Sequence, residues 1–93
     1  MSVDLFIRVG ERRNKNAIIA QLVLKHGYEY SDFNTSEDDC NFISVDRTDK
    51  VFNFYHFEPS YAPIISHTEF YKNGPYTMGE LRNLKIESIL CVR

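Results

Sequence analysis

Residues 42–57 carry the strongest constraint on how this chain can fold. Phe42-Ile-Ser-Val-Asp46 and Lys50-Val-Phe-Asn-Phe-Tyr-His-Phe57 both have strand character, and Arg47-Thr48-Asp49 between them is short and polar. The two runs read as an antiparallel hairpin. Phe52 and Phe54 stand two residues apart, so in a strand they share one face and Asn53 takes the other. Turned inward, the two rings are core, and recognition must come from the periphery. Turned outward, together with Phe6, they are a platform for stacking bases.

The outward reading has partial motif support. Lys50, Phe52, Phe54 and Phe57 match the charged and aromatic positions of the third strand of RNA-recognition modules, and Leu5-Phe6-Ile7 matches the first. Val51 and Asn53 replace small residues of that pattern, however, and Pro59 and Pro63 fall where its second helix should lie. A net charge of -2 is also not that of a phosphate-backbone binder. The residues favour Phe52 and Phe54 in the core.

The flanking segments supply a helical layer. Val3, Leu5, Ile7 and Val9 alternate with Asp4, Phe6 and Arg8 as in a half-buried strand that Gly10 ends. A helix is predicted from about Asn14, whose side chain is placed to cap it, to His26, with Gly27 at the left-handed stop. Tyr28–Tyr30 and Thr68–Tyr71 read as short strands, the latter at an edge. Glu58-Pro-Ser-Tyr-Ala-Pro63 breaks the pattern. Thr77-Met-Gly-Glu80 is a capping box opening a short helix to about Leu84. Residues 85–93 fit either a continuation of that helix or a last strand. These elements predict one α+β domain over residues 1–93, a mostly antiparallel sheet with one main helix on one face and a short C-terminal helix. A ferredoxin-like βαββαβ order is the alternative.

No catalytic residue, metal or cofactor is implied. His26, His56, His67, Cys40 and Cys91 show no ligand spacing. Asp38 and Asp39 beside Cys40 would raise its thiol pKa rather than activate it. Asp4 and Arg8 interrupt the first apolar run, so a signal peptide is not expected, and no run approaches a membrane span. The expected setting is the cytoplasm, with both cysteines as free thiols.

Two groups of side chains suit binding. Tyr55, Phe57, Tyr61, Phe70, Tyr71 and Tyr76 lie on or around irregular segments. Such rings give large contact area at low entropic cost, or else cover the sheet and close a small core. Arg12, Arg13 and Lys15 gather where the first helix begins, an arrangement that suits an anion. A homodimer would also bury aromatic surface in a chain this short.

Gly27-Tyr28, Phe42-Ile-Ser-Val-Asp46 with Lys50-Val-Phe52, and Tyr76-Thr-Met-Gly-Glu-Leu-Arg82 resemble segments of small accessory proteins encoded by bacteriophages. The resemblance implies a non-catalytic protein of the host cytoplasm that binds and inhibits a host or anti-phage defence protein. It implies, as an alternative, sequestration of a nucleotide-derived signal. No catalytic residue comes with it.

Overall fold

A computed structural model describes residues 3–31 and 40–82. Its elements are β1 (Leu5–Arg8), α1 (Arg12–Ala20) continued by a π-helical turn (Gln21–Lys25), β2 (Glu29–Tyr30), β3 (Phe42–Asp46), β4 (Val51–Tyr55), β5 (Ile64–Ser66) and α2 (His67–Asn73). They form the expected α+β architecture around a five-stranded sheet of order β2-β4-β3-β1-β5. The β1–β3 and β3–β4 pairs are antiparallel, and the β1–β5 and β2–β4 pairs are parallel.

Register decides what each face contains. Leu5 lies opposite Val45 and Val45 opposite Phe52; Ile7 lies opposite Ile43 and Ile65, and Ile43 opposite Phe54. These residues share the inner face, where Ile18 and Leu22 of α1 and Phe70 of α2 join them in one apolar cluster. Phe52 and Phe54 are only 3% and 6% exposed, so the hairpin rings are core, as the sequence favoured. Phe6 aligns instead with Ser44 and, through it, Asn53, on the outer face. A base-stacking platform of Phe6, Phe52 and Phe54 is therefore excluded, because the sheet separates the rings.

The first strand is covered more completely than its alternation predicted. Leu5, Phe6 and Ile7 all have no exposed surface, so β1 is buried on both faces. Two crossovers explain this. β1 connects to β2 through α1, which lies on the inner face. β4 connects to the parallel strand β5 through residues 56–63, which close over the outer face. Pro59 and Pro63 exclude a regular helix or central strand there, so aromatic rings do the covering.

α1 begins earlier than predicted. Its cap residue is Glu11, without a side-chain capping bond. Asn14 does not cap; its Nδ2 donates back to the Val9 carbonyl at 3.0 Å. At the other end the His26 amide reaches the Gln21 carbonyl, 3.1 Å away and one residue further back than in an α-helix. Val23 and Leu24 are 44% and 85% exposed, while His26 meets the Phe70 ring. Gly27, at φ +76°, stops the helix as predicted, and the Tyr28 amide bonds back to Leu22.

Residues 68–71 are helical, not a strand. Ser66 Oγ accepts from the Glu69 amide at 3.1 Å and starts α2. The strand nearby is instead Ile64–Ser66, parallel to β1. The ferredoxin-like alternative also fails, since it would set Val51–Tyr55 beside β1, and the first hairpin strand holds that place. The predicted capping box forms: Glu80 Oε1 accepts from the Thr77 amide and Thr77 Oγ1 from the Glu80 amide. Residues 78–82 are helical; the question of residues 85–93 lies outside the described residues.

Arg47, in the hairpin turn, joins three parts of the chain. Its Nε and backbone amide bond Asp4 at 3.2 Å, and one guanidinium nitrogen donates to Glu80 at 2.7 Å and to the Pro75 carbonyl at 3.3 Å. The turn itself is held by Asp46, buried, whose Oδ1 accepts from the Thr48 and Asp49 amides. The Arg47 hydrogen bond pulls the Glu80 carboxyl down to about 2 from an ordinary 4.5. A carboxylate lowered in the folded state contributes stability above its unfolded pKa and loses it as pH falls toward the folded one. Arg47→Met is expected to destabilise by about 1–3 kcal/mol at neutral pH. Its urea-unfolding stability should also fall less steeply than the parent's between pH 4.5 and 2. Equal stability of the two proteins at pH 7 would show that the network is not structural.

Candidate functional site

Side chains at alternate positions of β1, β3 and β4 build the outer face. Arg8 lies opposite Phe42 and Phe42 opposite Tyr55, giving a transverse row of a cation and two rings. The Arg8 guanidinium sits 5.1 Å from the centre of the Phe42 ring, within cation–π range. Along β1, two residues back, Phe6 is covered by Tyr55 at 5.0 Å and by the edge of Tyr61 at 5.3 Å. Partial burial first, then the neighbouring Tyr55 hydroxyl, raise the Tyr61 phenol above its ordinary value.

Backbone bonds fix the crossover at both ends. Asn41 donates from its amide to the Tyr55 carbonyl at 3.1 Å and from Nδ2 to the His56 carbonyl at 3.0 Å. The Pro63 carbonyl accepts from the Phe6 amide at 2.9 Å. Between these anchors, Pro59 is buried. Phe57 and Tyr61 are 78% and 61% exposed, so Tyr61 touches Phe6 with part of its ring and both side chains present aromatic surface to water. A cleft of about 270 Å³ lies at the start of the crossover, lined by Arg8, Gly10, Asn41, Phe42, His56 and Glu58. Glu58 pairs with Arg8 at 3.5 Å, but both side chains are largely exposed, so the pair adds little stability and exchanges readily.

The structure divides the six predicted partner-binding residues. Tyr55 and Tyr61 meet over Phe6 on the outer face, and Phe57 is exposed on the crossover that follows β4. Phe70 is wholly buried in the inner core and is unavailable to a partner. Tyr71 is half-buried against the core, and its hydroxyl lies 3.5 Å from the Asn14 carbonyl. Tyr76 is 38% exposed but follows α2, beside the helical layer. The predicted anion group also belongs to the helical layer. Arg12, Arg13 and Lys15 stand on α1, across the sheet from Tyr55 and Tyr61, and Arg13 is engaged by Glu11 at 2.7 Å.

Arg8, Asn41, His56 and Glu58 were not singled out from sequence. Arg8 carried a usable signal, because it is two residues from Phe6 and therefore on the same face of β1. Among the described residues, no three His, Cys, Asp or Glu side chains are grouped to hold a metal ion, and no helix is long and apolar enough to cross a membrane. Cys40 is half-buried; Cys91 lies outside the described residues. Comparison with protein-family models, curated proteins and solved structures returned no match.

This geometry makes Tyr61 a reporter of the face. In a carbon-13 tyrosine titration its phenol should ionise above 10.0, and Tyr55→Phe should bring it back toward that value. A midpoint of 10.0 in the parent would mean that the rings do not meet as described.

Proposed function

We propose that this chain is a non-catalytic binding protein that captures a protein partner on the outer face of its sheet. The observation that carries the reading is the pair of exposed rings, Phe57 and Tyr61, held on an anchored crossover beside the Arg8 row. Rigid aromatic surface next to an arginine is the composition of interface hot spots. Glu58 occupies Arg8 only loosely, so an acidic side chain of the partner can replace it. The partner is then a protein segment that brings apolar groups to the rings and a carboxylate to Arg8. That this partner is a host or anti-phage defence protein rests on the sequence resemblance to phage accessory proteins.

Sequestration of a nucleotide-derived signal is the competing reading. The separation of Arg12, Arg13 and Lys15 from the outer rings speaks against the version built on those residues. In calorimetric titrations with cyclic nucleotides and adenosine diphosphate ribose derivatives, no heat is expected.

Affinity capture from bacterial lysate with the parent, a Phe57→Ala/Tyr61→Ala variant and Tyr76→Ala tests the proposal. A specific protein should be retained by the parent and by Tyr76→Ala. The double variant should bind it at least tenfold more weakly, which corresponds to about 1.4 kcal/mol. Thermal melts should show both variants folded. Equal capture by the folded double variant would overturn the assignment of the outer face.

A further inference from the structure

His26 ends the π-helical turn with its ring against Phe70 of α2, centroids 5.7 Å apart. Its other neighbour is Gly74, the residue after α2, which is buried and has φ +80°. A Cβ at Gly74 would lie 3.1 Å from His26 Cε1, so the imidazole rests directly on the turn backbone. That turn is held by the Gly74 amide on the Phe70 carbonyl and the Tyr76 amide on the Gly74 carbonyl, both at 2.8 Å. The His26 Nε2 is buried and has no hydrogen-bond partner.

We propose that His26 is a pH-sensitive latch that docks the Gly74–Tyr76 turn onto the end of α1 and releases it on acidification. The neutral ring can leave one nitrogen unpaired at modest cost. The imidazolium would carry a second N–H with nothing to accept it, in a contact lined by Phe70 and Gly74. The charged groups acting on the ring are Lys25, on its own helix, and Lys50, in the hairpin turn, and both repel a second cation. The Tyr76 ring also adjoins this turn, its Cδ2 3.7 Å from a Cβ built at Gly74. Burial first, then these two lysines, hold the His26 pKa below its ordinary 6.5.

The sign follows. The undocked ring takes up a proton near 6.5, the docked ring only at lower pH, so docking weakens as pH falls below 6.5. The neighbouring anchor survives that range, because Glu80 stays ionised down to about 2 and keeps Arg47 on Glu80 and the Pro75 carbonyl. Acid therefore loosens one turn, between α2 and the Thr77–Glu80 capping box, and not the whole domain.

Native-state amide hydrogen exchange between pH 7 and 5, corrected for intrinsic rates, tests the latch. Protection of the Gly74 and Tyr76 amides should fall with pH, by up to about tenfold for each unit that the docked pKa lies below the undocked one. Amides of β1 and β3 should change little. In His26→Phe, which keeps a ring on Phe70, the pH dependence should vanish. Protection that is flat in the parent, or that falls equally in His26→Phe, would overturn the proposal. Should that variant fail to fold, proton NMR of the parent decides, since a His26 midpoint at or above 6.5 contradicts the latch.

Discussion

The structure depends on burying β1 from both sides. Leu5 and Ile7 need the helical layer, and Phe6 needs something else, because a bare aromatic ring in the middle of a sheet would be an adhesive patch. The chain meets the first need with α1 and α2 and the second with residues 56–63. A helix on the outer face would leave a polar exterior. An irregular crossover built on two prolines instead lays Tyr61 on Phe6 beside Tyr55 of β4, and some of that aromatic surface faces solvent. The exposed rings follow from the way the strand is covered, and recognition can use them at little extra conformational cost.

Much of this was legible in the sequence. The hairpin showed through its alternation and polar turn, Gly27 marked a helix end, and Thr77 with Glu80 announced a cap that the structure forms. The inward placement of Phe52 and Phe54 followed from the poor fit of Asn53 to a buried position. The α+β class followed from the same elements.

Other features were hidden for physical reasons. Thr68, Phe70 and Tyr71 have strand propensity, and that masked α2. Yet Ser66 and Glu69 carry the same spacing as Thr77 and Glu80, so a start signal was present. β5 is only Ile64–Ser66, and its parallel pairing with β1 is a long-range event that local pattern does not encode. The extra residue in the π-helical turn has no periodic signature, so the packing of His26 on Phe70 was not foreseen. For the site, composition identified the aromatic region but not which rings the core would take. Phe70 went to the core, while Arg8 came into one row with Phe42 and Tyr55 only through strand register.

The division of the rings between two faces is the claim on which both functional readings stand. Nuclear Overhauser contacts among selectively labelled phenylalanine and tyrosine rings test it most directly. The account predicts contacts from Phe6 to Tyr55 and Tyr61, and from Phe52 to Phe54 and Tyr30, with none between Phe6 and either Phe52 or Phe54. Contacts joining Phe6 to Phe52 would place those rings on one face and contradict it.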